Sequence, residues 1–551
     1  MAVDLVLTNA VVYTVDAGRS RHEAVAVANG RIAAVGSAAA IVELAGPRTQ
    51  VLDLGGRLVL PGFIDSHMHA SFAHEELYDL SLAGLGSIEA CLGAVARFAA
   101  EHPDLPAIRG NGWSDTYAPA LGPAAADLDT VVPDRPVALF DDSYHFVWAN
   151  TVALREAGID ASTPDPASGV IERLPDGTPS GTLREGPTAL VERALPPRTA
   201  DQARAGIRHF QRTIAGPFGL TTVQDAGLRP GHDAALGAYE DLQAAGELTA
   251  RYCLSLWIRE DEPLEAQLEA AAEERARHAG PLVTAAWAKL FADGVIEGHT
   301  AVLKESYADR PGFCGVPVWP DGGLEAASVA AARAGFRLHY HAIGDGAVAL
   351  SLDGIAAAAR ATGGRVERPL ITHLQLVDPA DLPRFAALGV VAVPQPYWFQ
   401  KDVLYRTRQV PCLGLARADR EYPMRSFWEH GVVVASASDY PVPPPPDPLA
   451  AIQRGVLRRD PADPEQHEPL WPEEAVMVER MIESFTARGA YAMGREEEVG
   501  TIEPGKIADL VVLSRDITAL PAEEIAAARV ELTLFGGRPV FAGGAFAGLA
   551  G

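Results

Sequence analysis

The segment PGFIDSHMHA puts His67 and His69 two residues apart at the end of an apolar run. Side chains at i and i+2 of a strand share a face, so both imidazoles point the same way and can share one metal ion. Pro61 and Gly62 mark the entry to that strand, and Asp65 is placed to orient a ligand histidine from behind. Lys289 sits inside the apolar run TAAWAKLFADG, where an ammonium is costly to bury unless it is paired or modified. His341 ends the run LHYHAIGDGA; His339 shares its face, but His341 adjoins the glycine-containing loop and is the preferred ligand. His373 ends PLITHLQLVDP, and Asp439 ends VVVASASDYPV ahead of the proline-rich run at 441–448, read as a rigid loop.

Each of these residues alone has an ordinary explanation. The histidines could be hydrogen-bonded core residues, Lys289 could reach solvent or pair with Asp293, and Asp439 could cap a helix. Together, at the ends of separate apolar runs, His67, His69, Lys289, His341, His373 and Asp439 form a metal-ligand set. Imidazole and carboxylate donors suit Zn2+ and other first-row divalent ions, with one or two ions held. A lysine amine that has reacted with CO2 becomes a carbamate, an anion whose two oxygens can bridge two cations, and Lys289 is expected to carry it. Such a metal polarises a carbonyl and lowers the pKa of bound water. Asp439 is expected to take the proton from that water and pass it to the leaving nitrogen.

Parallel β/α units are expected to position these groups. The apolar runs GLTTVQDAG, ARYCLSLWI, TAAWAKLFADG, GFRLHYHAIGD, PLITHLQL, GVVAVPQP and VVVASASDYPV alternate with Ala-rich helical stretches. Polar residues at their ends indicate a (β/α)8 barrel of the TIM type, whose site lies at the C-terminal ends of the strands. The strand candidates slightly exceed eight, so some belong outside the barrel. Residues 1–57 and 499–551 both read as short strands with tight turns and are expected to form one composite β-sandwich. The barrel then spans 58–498, with an inserted subdomain at about 76–215, a Pro- and Gly-rich stretch containing GVIERLPDGTPSGTLREG.

Acidic residues outnumber basic ones 72 to 46, and the net charge of −26 argues against a nucleic-acid partner. No run of about 18 apolar residues predicts a membrane span. The N-terminus reads as a strand and not as a secretory signal. The four cysteines, Cys91, Cys253, Cys314 and Cys412, are far apart, which predicts neither a disulfide framework nor a thiolate zinc site. The expectation is a cytoplasmic enzyme acting on a small molecule, with a homodimer as the default assembly.

The order HxH, Lys, His, His, Asp resembles the amidohydrolase superfamily. More narrowly, PGFIDSHMHA, KLFADGVIEGHTA, HAIGDGAV, THLQLVDPADLPRFAALGV, SDYPV and VGTIEPGKIADLVVL resemble amidohydrolase family 3, the YtcJ-like branch that includes N-substituted formamide deformylases. The resemblance spans nearly the whole chain. It implies a barrel with a β-sandwich built from both termini, and hydrolysis of an amide or related C–N bond. By the same resemblance RGNGWSDT, with Trp113, and LFDDSYHFVWAN, with His145 and Asn150, line the substrate pocket. His145 would polarise the substrate carbonyl or stabilise an oxyanion. The sequence SYHFVWANT departs mildly from the usual "GHxxWVNS", and His299 stands near a place where Ser or Arg is more usual. Tyr397, Trp398 and Phe399 in VPQPYWFQ favour an apolar or aromatic substrate group. A formamide, an N-acyl amine, a cyclic imide or a carbamate would fit.

A mononuclear deaminase of the same superfamily is the alternative. Such enzymes typically carry Glu shortly after the third histidine and lack the strand lysine, whereas here Ala-Ile-Gly-Asp follows His341 and Lys289 is present. A non-catalytic scaffold on the same fold would have lost metal ligands, and this chain keeps all six.

Overall fold

The computed structural model describes residues 3–549 apart from 167–168, 232 and 443–444. Eight parallel strands follow one another around a curled sheet: β1 (Phe63–Met68), β2 (Leu220–Leu228), β3 (Arg251–Trp257), β4 (Val283–Phe291), β5 (Arg337–Ala342), β6 (Leu370–His373), β7 (Val391–Pro394) and β8 (Val433–Val434). Strands β1, β6 and β7 are buried along their whole length, as parallel strands covered on both faces must be. The helices Ala234–Ala245, Leu264–Arg277, Gly323–Arg333, Asp345–Ala361 and Leu382–Leu388 fill the connections from β2 to β7.

The seam between β8 and β1 closes differently. The β8 ladder ends at Val434, and the chain continues as extended coil. Ser66 N–H donates to Ser436 O at 3.2 Å and Asp439 N–H donates to His67 O at 2.9 Å, so this coil completes the TIM-like barrel against β1. Asp439 is therefore not at the end of a regular strand, as its sequence neighbourhood suggests. It lies five residues past the ladder with φ of 64°, in the left-handed region. Of the proline run that follows, residues 443–444 lie outside the described residues.

Leu58–Pro61 precedes β1 in a six-stranded sheet that also holds Val11–Tyr13, Arg21–His22, Leu510–Leu513, Val530–Phe535 and Arg538–Ala542. A four-stranded sheet of Leu5–Thr8, Ala24–Ala28, Arg31–Gly36 and Gln50–Asp53 packs with it, sharing one apolar cluster around Leu7, Val27, Val59, Leu510 and Leu534. Gly62 makes the passage into β1: a Cβ there would lie 2.4 Å from the Thr221 side chain. Residues 80–184 contribute a separate six-stranded sheet that carries Ile108–Trp113, Val137–Asp141 and Phe146–Ala149. No helix among the described residues is long and apolar enough to cross a membrane.

Candidate metal centre

The C-terminal ends of β1, β4, β5 and β6 and the coil after β8 converge at the mouth of the barrel. Asp439 Oδ1 lies 3.0 Å from Nε2 of His67 and 3.4 Å from Nε2 of His69, and Oδ2 lies 4.0 Å from Nδ1 of His373. The His341 and His373 rings are 4.3 Å apart, and those of His67 and His373 are 5.1 Å apart. His373 and Asp439 both have positive φ, 78° and 64°, conformations that non-glycine residues adopt only when their surroundings hold them there.

Apart from the half-buried His69, the donors are buried and, in part, unsatisfied. Lys289 is 0% exposed and its Nζ has no hydrogen-bond partner among the described residues, nor has either ring nitrogen of His373. Polar groups rarely stay orphaned in a core, and these face one another across a space that a cation would fill. Burial pulls His373 down to about 3 and Lys289 down to about 7, and it holds His67 and His341 well below the ordinary histidine value. Neutral imidazoles and a neutral amine are the forms that bind metals and CO2. Burial opposes the charge on Asp439, but hydrogen bonds from His67 and His69 outweigh it and keep the carboxylate ionised. This donor set suits a divalent metal ion.

The groups behind the donors fix their orientation. His67 Nδ1 meets Nε2 of His339 at 2.9 Å, and His339 Nδ1 meets Ser255 Oγ at 2.8 Å. His69 Nδ1 lies 2.9 Å from Ala226 O. Asp65 acts on backbone and not on a ring, accepting from the N–H groups of His67 and Ser438 at 3.2 and 3.1 Å. Asp293 does not pair with Lys289. Its carboxylate accepts from the N–H groups of Val302, Ile343 and Gly344, tying the loop after β4 to the loop after β5. Asp439 caps no helix; Asp447 caps Pro448–Leu457.

A cavity of about 370 Å³ opens from the centre toward the 80–184 sheet, with Phe72, Phe140, Tyr144, Trp257 and Phe291 in its wall. His145 lines it too, its ring 5.4 Å from that of His341. His145 Nδ1 lies 2.8 Å from Glu185 Oε2. Burial lowers the His145 pKa, but the Glu185 carboxylate prevails and raises it to about 9, so the ring is cationic at neutral pH. On the far side, burial pushes Glu75 up to about 8, and its carboxyl meets Asn111 and Tyr144 at 2.8 Å each.

Three expected pocket residues lie elsewhere. Trp113 is wholly buried in the core of the 80–184 sheet, with its indole N–H donating to Leu139 O at 2.8 Å. Asn150 is also wholly buried and spends its whole side chain on backbone: Oδ1 accepts from Val137 and Ala153 N–H, and Nδ2 donates to Val132 and Arg135 carbonyls. It caps Thr151–Glu156 and cannot also reach a substrate. Tyr397 is buried and not part of the cavity lining, whereas the Trp398 ring stacks 5.8 Å from that of His373. Glu185 and the backing role of His339 escape sequence reading; Glu185 stands in a turn-rich segment with no periodicity to mark it.

A TIM-like barrel with candidate metal donors gathered at the C-terminal ends of its strands is an arrangement suited to metal-dependent hydrolysis. The chain belongs to the amidohydrolase family, whose sequence profile matches residues 50–541. It is 31% identical to the putative amidohydrolase YtcJ of Bacillus subtilis, over 96% of this chain and 98% of that protein. It is 31% identical to an N-substituted formamide deformylase of Arthrobacter pascens, over 93% of this chain and 94% of that protein. A metal-dependent hydrolase from Pyrococcus horikoshii shares the fold, with a TM-score of 0.73 at 23% identity, covering 94% of this chain and 99% of that one.

Proposed function

We propose that the protein hydrolyses a C–N bond of amide type in a small molecule, with Asp439 as the proton shuttle. The observation that carries this reading is the position of the Asp439 carboxylate, 3.0 and 3.4 Å from the Nε2 atoms of His67 and His69 beside the unpartnered His373. His67, His69, His341, His373, Asp439 and the Lys289 side chain would hold one or two divalent ions, Zn2+ being the best match to these donors. When bound, such an ion polarises the scissile carbonyl and acidifies water. Lys289, lowered by burial to about 7 and so in good part a neutral amine at neutral pH, is placed to attack CO2. Its nitrogen lone pair forms the N–C bond and one proton leaves, giving the carbamate anion.

Asp439 then takes a proton from the attacking water and delivers it to the leaving nitrogen. The cationic His145, held by Glu185, donates a hydrogen bond to the substrate oxygen as negative charge develops there. The aromatic wall formed by Phe72, Phe140, Tyr144, Trp257 and Phe291 favours an apolar or aromatic nitrogen substituent. The deformylase relative makes an N-substituted formamide the first substrate to try. We read the two terminal sheets as one composite β-sandwich and the 80–184 sheet as an insertion that roofs the cavity. The direct test is turnover of an N-benzyl-type formamide before and after chelation. Activity that disappears on chelation and returns with added Zn2+ supports the reading; turnover indifferent to chelator would sink it.

A further inference from the structure

A second convergence of metal-type donors lies away from the cavity, where the loop after β4 meets the segment after β7. His299 Nε2 is 2.8 Å from Oδ2 of Asp309 and 3.6 Å from Sγ of Cys412, and that sulfur is 4.0 Å from the same Asp309 oxygen. A nitrogen, an oxygen and a sulfur from three places in the chain thus surround one point. Tetrahedral zinc, bonded to N and O at about 2.0 Å and to S at about 2.3 Å, spaces its donors by roughly 3.3–3.6 Å. The observed edges, 2.8, 3.6 and 4.0 Å, bracket that range.

Two other readings fit less well. In a nucleophilic relay the imidazole bridges thiol and carboxylate with its two different nitrogens. Here both partners meet the same Nε2, so His299 cannot pass a proton from one to the other along that path. Cys412 belongs to the apolar core, yet its sulfur also meets an imidazole and a carboxylate, contacts that an ordinary core thiol does not need. The backbone is arranged around the same point. His299 has φ of 57°, and Ala308 N–H donates to Cys412 O at 2.7 Å, joining the two segments beside the donors.

We propose that His299, Asp309 and Cys412 form a second metal site that takes a single zinc-class divalent ion and clips these two mouth segments together. Cys412 gives up its thiol proton to solvent as the ion binds. Asp309, 37% exposed, leaves the outer side open to a water molecule as fourth ligand. The clip bears on the cavity through the next residue: Thr300 donates to Glu185 Oε1 at 2.5 Å, and Glu185 holds His145.

Cobalt substitution separates this site from the main centre, which contains no sulfur donor. The full-length protein is loaded with Co(II), and thiolate-to-cobalt charge transfer is followed in the near ultraviolet. The expected result is a band whose full intensity corresponds to one thiolate-bound cobalt per protein and which is lost in Cys412→Ser and in His299→Gln. Each variant should also bind one metal equivalent fewer than the wild type, with circular dichroism unchanged. No band in the cobalt-loaded wild type, or a band of full intensity in both folded variants, would overturn the proposal.

Discussion

His67 Nδ1 and His339 Nε2 meet at 2.9 Å behind the metal centre, and this contact decides which nitrogen His67 offers to the mouth of the barrel. With a metal on Nε2 of His67, in place of the hydrogen that this atom offers Asp439 in the metal-free protein, Nδ1 carries the hydrogen and His339 accepts it. His339 must then carry its own hydrogen on Nδ1, where Ser255 Oγ lies 2.8 Å away to accept it. One tautomer thus runs consistently through three residues. His339→Gln should weaken metal binding about 10- to 100-fold, measured by competition with a chromophoric chelator. An unchanged affinity would show that His339 is core filling only.

Lys289→Ala removes the one buried amine at the centre. It should lower the number of metal equivalents at the centre, and activity with it, and short carboxylic acids should restore part of both by supplying the missing oxygens. Elemental analysis alongside turnover, with and without acetate, checks this. Full activity in the unrescued variant would exclude an essential carbamate.

The His145–Glu185 pair predicts an alkaline limit to activity. The pKa of His145 is raised, to about 9, so the cation is present at neutral pH and is lost as pH rises through that value. The stabilisation that the pair gives the fold has the same sign, complete below the unfolded value near 6.5 and gone above about 9. The profile of kcat/KM against pH should fall with an apparent pKa near 9. In His145→Gln the rate should be lower at neutral pH, and this limb should vanish. A limb that persists in the variant belongs to another group.

Asn150→Ala tests a structural assignment against a substrate-binding one. Four backbone groups, three of them in buried hydrogen bonds, lose their partner, which should cost about 3 kcal/mol of stability. KM and kcat of the protein that remains folded should stay near wild type. A selective rise in KM with unchanged melting would return Asn150 to the pocket.

The convergence of the candidate ligands is legible in the sequence because strand alternation is a local rule. His67 and His69 need only the i, i+2 spacing, and His341 and His373 need only an apolar run that ends. What the sequence hides depends on contacts between distant segments. Asp439 reads as the end of a long strand, yet pairing with β7 stops at Val434 and the seam is completed by hydrogen bonds to β1. Trp113 and Asn150 are a large aromatic and a polar amide in family-like segments, and composition cannot tell a core indole or a helix cap from a pocket wall. Glu185 gains meaning only once the fold brings it to His145. Cys412 and His299 are more than one hundred positions apart and share no local pattern.

The most direct test of the central claim is turnover and metal content measured side by side in Asp439→Asn. The amide keeps the size of the carboxylate but cannot take up a proton, while the histidines remain to hold metal. The account predicts a fall in kcat of about 10²- to 10⁴-fold with most of the metal retained. Turnover at the wild-type rate in a metal-loaded Asp439→Asn protein would contradict it.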